Sequence, residues 1–489
     1  MTRFGTALAF TSLLALAAPA LAQAQAQDGK VITTQDEIGG VYEGTFKGGL
    51  QHGTGTYTLP SGYEYTGDWV EGEIRGRGVA RFPDGSVYEG EFARGKPEGM
   101  GRITFADGGT YEGTWKDGEI HGEGVAVYAN GVRYEGGFAE GEHHGQGVME
   151  NPNGYVYDGA WVNGRKQGEA SITYPDGSTY EGSVADGQLE GQGKLVMPDG
   201  LVYEGEWGAN QMHGTGKLVQ PNGDIYEGTL AEGRREGAGK QTHANGDVYE
   251  GAFEDDLRHG TGTFTKTDGY SYTGEWAAGQ IEGEGKATYP DGSVYEGAFR
   301  DDLAEGEGKI TYPDGSTYEG SWVAGVIEGE GTATYPNGVV YTGAFKNARN
   351  HGQGVMTYTD GYRYEGGWLD GQRHGEAKVT YSDGSVYTGS FANSQRHGQG
   401  RIEMPDGFVY EGEWQEGKIS GNGVATYANG DVYEGQFVNG KRQGPGTMKY
   451  ATGQKTEGTW ENGALVREGA AASESGAAET AETGQPGSD

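Results

Sequence analysis

The sequence predicts an all-β fold: an elongated, single-layer antiparallel sheet of β-hairpins, a twisted solenoid of 19 copies of 23 residues. Three observations predict it. Tyr-x-Gly recurs at an unvarying 23-residue interval from Tyr42 to Tyr433, and Thr456 takes the Tyr place in the last copy. The 98 glycines among 489 residues are concentrated at fixed places in that period. Between them, large and small residues alternate, the period of a half-exposed strand. An unbroken period of this length is the mark of a repeat architecture.

Composition alone points elsewhere. One Gly in five, 34% hydrophobic residues and a net charge of −36 lean towards disorder. However, 32 Tyr, 14 Phe and 9 Trp are far too many rings for a disordered chain. Collagen is excluded because Gly has no three-residue period and Pro is scarce. A thick aliphatic α/β core is excluded by the same numbers. The absence of Cys removes disulfides, thiolate metal sites and lipid attachment through an N-terminal cysteine.

The order along the chain begins with a targeting segment. Arg3, the apolar stretch Ala7–Ala18 and the small-x-small site Ala20-Leu21-Ala22 read as a signal peptide over 1–22, cleaved before Gln23. Its product is expected to be secreted, periplasmic or extracellular. A polar lead-in, 23–41, precedes the array at 42–463, whose degenerate last copy from 456 reads as a cap. An acidic tail, 464–489, is expected to be disordered.

Within a copy, with Tyr as position 0, the first strand covers 0 to +4, as in Tyr111-Glu112-Gly113-Thr114-Trp115. A loop of about six residues follows, and a second strand covers +11 to +17. An Asp/Asn-Gly pair then marks a reversal in 16 of 18 copies, Gly supplying the positive φ that a tight turn needs. Parity puts Tyr 0, Gly +2, the aromatic at +4, Gly +11 and +13 and the Tyr common at +17 on one face, so rings can cover glycines where a second layer is missing.

The segments YEGTWKDGEIHGEG (111–124) and YEGEWQEGKISGNG (410–423) closely resemble the MORN (membrane occupation and recognition nexus) repeat. The resemblance covers Tyr42 to about Gly463. It implies a chain of β-hairpins forming a twisted sheet with a ring-lined groove, protein contacts, self-association and placement at membranes. At ~4.8 Å per strand, about 37 strands would extend on the order of 180 Å. Some lipid kinases carry such repeats, but no segment outside the array is long enough for a kinase domain.

Position +4 has a longer period. Trp69, Trp115, Trp161 and Trp207 are 46 residues apart, as are Trp276, Trp322, Trp368, Trp414 and Trp460, with Phe in most copies between. Val184 and Leu230 flank a phase slip at Trp207, which predicts a local change of groove shape over 180–235. These nine tryptophans with Tyr295, Tyr318 and Tyr341 are the candidate binding groove.

Other chemistry is weaker. Eight of ten His fall at +10, three in consecutive copies (His351, His374, His397). Equivalent residues stand two strands apart, roughly 9.6 Å, too far to share one zinc, so a consensus loop-to-strand role is expected and no metal. Position +1 is acidic in 15 of 19 copies, a carboxylate ladder partly matched by Lys at +14 (Lys194, Lys217, Lys240, Lys286, Lys309). It offers no unique acid/base pair, only weak divalent-cation binding. No catalytic constellation and no cofactor motif stands out. Two functions follow as expectations: a non-catalytic scaffold for protein partners in the cell envelope, membrane-associated and self-associating, or a binder of envelope glycan or lipid through the aromatic groove. Nucleic acid is excluded by charge, which also opposes anionic lipid.

Overall fold

The computed structural model describes residues 29–468. The signal segment 1–22, the first lead-in residues and the tail beyond Glu468 lie outside them. The described residues form 39 strands and no helix. They divide into two compact units, to Leu257 and from Arg258. Within each, a strand pairs antiparallel with the strand before it and the strand after it.

Each copy is one hairpin. Its first strand spans −1 to +5, as in Thr110–Lys116, and its second +8 to +16, as in Glu119–Val127. The expected six-residue loop is a two-residue turn, because +6 and +7 both take positive φ (Asp117 50°, Gly118 88°). That is type I′ geometry, whose twist suits a hairpin, and it releases +8 to +10 into the second strand. The other reversal is as expected: in copy 111 the Tyr128 amide donates to Val132 O and the Gly131 amide to Tyr128 O, both at 2.8 Å.

Register explains the glycines. Tyr111 opposes Ala126, Gly113 opposes Gly124, and Trp115 opposes Ile120. Between the last two pairs the second strand holds two residues more than the first, a bulge. Gly +11 sits in it, with φ between 59° and 110° in all eighteen copies. This corrects the parity assignment, since positive φ turns the residue over: a Cβ on Gly122 would meet Thr114 of the opposite face. The floor under the rings is Gly +2 and Gly +13. A Cβ on Gly113 or Gly124 would lie 2.4 Å from atoms of the Tyr111 ring, so only glycine admits a ring this close.

Both ends extend further than the sequence suggests. In the lead-in, Ile32–Gln35 forms a strand on Val41–Gly44. The Asp36 carboxylate accepts from Tyr57 OH and from the Gly40 amide, both at 2.6 Å. At the other end Ala464–Glu468 pairs with the last copy, so the sheet runs five residues past the expected boundary at 463. With Thr456 in place of Tyr, Leu465 covers the floor at Gly458.

Candidate functional site

The ring layer is the one structure common to all copies. Each position-0 Tyr lies across its two floor glycines, and its hydroxyl donates to the carbonyl of +3 in all eighteen Tyr copies. Where +4 is aromatic, it meets that ring of its own copy and of the next edge-on: Tyr88 contacts Phe92 and Trp115, each at 5.0 Å. Seven indoles donate to the carbonyl of Gly +13 in the preceding copy, as Trp115 does to Gly101 at 3.2 Å and Trp414 to Gly400 at 3.0 Å. The indole N–H of Trp368 and of Trp460 is buried without a partner.

Within each unit the predicted groove residues are therefore brought into a ring layer, but that layer is closed. The nine tryptophans expose 2–7% of their surface and Tyr295, Tyr318 and Tyr341 at most 2%. Their faces pack on floor and neighbours, which corrects the expectation of an open stacking groove. Over 180–235 strand pairing continues without a break. What changes there is the ring chain, where buried Val184 and Leu230 replace aromatics.

Position +9, expected in the loop, forms the roof. It is Ile in several copies, such as Ile74 and Ile120. In others it is cationic: Arg396 lies 4.1 Å over Trp414, Arg442 4.3 Å over Trp460, and Arg373 donates to Tyr362 OH. His143 stacks on Tyr134 at 3.7 Å and hydrogen-bonds Tyr128 OH at 2.7 Å; burial pulls its pKa down to about 4. Lys166 donates to Tyr155 OH at 2.6 Å above the Tyr155 and Tyr157 rings, and burial lowers it to about 8. Burial also raises the layer phenols, Tyr157 and Tyr318 to about 12.

The opposite face carries the ladder. Lys194 stands directly between Glu181 and Glu204, and Lys217 between Glu204 and Glu227. Lys217, Lys286 and Lys309 reach Glu227, Glu296 and Glu319 at 2.9, 2.9 and 3.4 Å. Where +1 is Thr, its partner is often Thr, as in Thr56–Thr66 and Thr332–Thr342. These exposed pairs set cross-strand complementarity and contribute little each. Position +10 is a cap for the next turn: Glu98, Glu190 and Glu328 accept the amides of Asp117, Ala209 and Asn347. His52 does the same for Glu71 through Nδ1, so His at +10 stands among interchangeable acceptors.

One row escaped the sequence reading as a site. Position +17 is Tyr in five consecutive copies, Tyr289, Tyr312, Tyr335, Tyr358 and Tyr381. These rings border the layer at the Asp/Asn-Gly reversals and are half-buried, with Tyr335 39% exposed. The signal was present, as Tyr was visible at +17, but exposure depends on the neighbours that the register brings.

The MORN repeat signature matches eighteen segments, beginning with 42–62 and ending with 433–455. No curated protein matches the chain significantly. Among solved structures, the chain is similar to the SAS-4 (dCPAP) TCP domain of Drosophila melanogaster in complex with a proline-rich motif of Ana2. The identity is 13%, over 41% of this chain and 90% of that one, with a TM-score of 0.20. The TCP10 domain of Danio rerio CPAP with a STIL peptide is 15% identical over 60% and 99%, with a TM-score of 0.15. Virginiamycin B lyase from Staphylococcus aureus is 12% identical over 60% and 94%, with a TM-score of 0.11. Such scores carry no functional argument.

Proposed function

The chain belongs to the MORN-repeat family, and from that membership we propose that it is a non-catalytic scaffold, a platform for protein contacts in the cell envelope. The observation that supports this best is the self-satisfied ring layer. Eighteen phenols donate to the repeat's own backbone, while chemical variety is confined to the roof and the turn borders. A catalytic site needs acid, base and electrophile converging at one place. A ladder of near-equivalent copies instead offers the same backbone frame many times over, with borders that differ in ring and charge.

Location in the periplasm or outside the cell belongs to this proposal and rests on the segment 1–22. Attachment to membranes runs through a protein partner, because a charge of −36 opposes anionic headgroups.

The test has two parts. N-terminal sequencing of the exported protein should begin at Gln23; protein retained in the cytosol with its leader intact removes the envelope placement. Light scattering and cross-linking of the mature chain should yield defined oligomers or hetero-complexes. A strict monomer that retrieves no partner refutes the scaffold.

A further inference from the structure

We propose that the turn border at Tyr289, Tyr312 and Tyr335 binds a basic polyproline-II peptide with a cationic side chain at every third residue. The proposal rests on the scaffold reading and names the class of partner.

Four observations lead to it. The three tyrosines are equivalent residues of consecutive copies within one unit, on rings reachable from solvent. Being two strands apart, they repeat at about 9.6 Å. A polyproline-II helix has three residues per turn and advances ~3.1 Å per residue, so one side of it repeats at about 9.3 Å. A β-strand fails this test because residues three apart point to opposite faces.

The charge fits a cation. From Tyr272 to Val340 there are thirteen acidic residues against three basic ones, whereas residues 341–409 hold seven of each. Beside two of the rings stand the exposed carboxylates Asp291 and Asp314. Both are held below the usual carboxylate range: Asp291 first by the Ser293 amide, Asp314 first by the Ser316 hydroxyl.

The same chain also shows how such a ring takes a cation. Tyr427, at the equivalent +17 position, has the Arg442 guanidinium 5.8 Å from its ring centre, and Arg442 is the +9 residue of the following copy. The corresponding residues for Tyr289, Tyr312 and Tyr335 are Ala304, Ile327 and Asn350. None carries charge, so at these three copies the cation must come from another molecule. Aromatic faces that take a preformed polyproline-II chain without ordering it are a recurrent mode of peptide recognition.

The experiment measures fluorescence anisotropy of labelled (Pro-Pro-Arg)5 on the mature chain. The comparison peptides are (Pro-Pro-Glu)5 and a peptide of the same composition with its five Arg grouped. (Pro-Pro-Arg)5 should bind most tightly, and Tyr289→Ala/Tyr312→Ala/Tyr335→Ala should weaken it at least about tenfold, the loss of three exposed cation–π contacts. The Phe triple variant should keep most of the affinity. If the Ala variant misfolds by circular dichroism, Asp291→Asn/Asp314→Asn retains the acceptor for the Ser amide and should weaken binding in the same direction. Equal binding of spaced and grouped Arg, or unchanged binding by the variants, overturns the proposal. A partner cross-linked to the wild type and retained by the Tyr triple variant overturns the border alone and leaves the scaffold; no partner for either protein overturns both.

Discussion

Gly308→Ala tests the architecture at one of its tightest floor contacts. A Cβ placed there would lie 2.2 Å from Tyr295 OH, 2.5 Å from its Cζ and 2.6 Å from its Cε2. Carbon contacts prefer about 3.5–4.0 Å, so the ring must rise by more than about 1 Å. Rising strains the hydroxyl bond to Ala298 O at 3.0 Å, which contributes about 1 kcal/mol. It also disturbs the edge contacts to Phe299 at 5.0 Å and Trp322 at 5.1 Å, each about 0.5–1.5 kcal/mol. Against this, Ala stiffens the unfolded chain by about 0.4–1 kcal/mol, because Gly308 does not have positive φ. The net loss is about 1.5–3 kcal/mol. Repeat arrays need not unfold all at once, so the assay is native-state hydrogen exchange by mass spectrometry. Amides of Val294–Arg300 and Leu303–Thr311 should exchange about tenfold to a hundredfold faster, with little change several copies away. Exchange within twofold of wild type would refute the floor-and-ring reasoning. A second refutation would be an equal penalty in a Tyr295→Leu background, where the clashing ring is gone.

Three further expectations use the same readout or simple denaturation. Ala348 holds the second turn position at φ 60° without the side-chain cap that Asp302 Oδ1 gives the Ile281 amide at 2.8 Å. Ala348→Asp should therefore slow exchange of the Ile327 amide, by about 1 kcal/mol; faster exchange would contradict it. Trp414→Phe breaks the bond to Gly400 O, whereas Trp368→Phe removes an N–H that has no partner. Trp368→Phe should be milder by about 1 kcal/mol, and equal losses would count against the assigned pattern. His143, at about 4 when folded, takes its proton more readily unfolded, near 6.5. Stability around residues 133–150 should thus be full above about 6.5 and fall as pH drops towards 4, by up to about 3 kcal/mol. His143→Ile, the residue type at the same place in Ile120, should flatten that dependence.

The period, the hairpins and the shared face of Tyr, Gly and Trp were legible because each depends on residues close in sequence. The bulge was not. Alternation continues smoothly through Gly122 and Gly124, and only the pairing of Trp115 with Ile120 on one side and Gly122 with Phe138 on the other reveals two added residues. That bulge moves +9 from an apparent loop to the roof, which is why the groove looked open in sequence: its lid was misplaced. Likewise, Tyr295 and Tyr289 are the same residue type six positions apart, and the first is fully buried while the second is reachable. Residue type named a ring at each place, and pairing decided which one solvent could touch.

The two exceptions on the floor each coincide with a cationic roof and a bordering phenol. Ala replaces Gly at +13 only at Ala170 and Ala377. In both copies the methyl crowds the facing glycine, with Ala170 Cβ 2.6 Å and Ala377 Cβ 2.3 Å from a Cβ built on Gly159 or Gly366. The ring keeps its place: Tyr157 OH stands 2.9 Å from that point on Gly159, as Tyr134 OH does at Gly136 over an all-glycine floor. In these copies the lid is Lys166 or Arg373, whose charged end itself lies over the ring. There it meets a border tyrosine, Tyr155 or Tyr362, which accepts the hydrogen bond. A methyl on the floor, a cation on the roof and a phenol at the edge occur together in these two copies, but Arg396 and Arg442 roof their rings in copies with glycine floors, so the cation does not require the methyl.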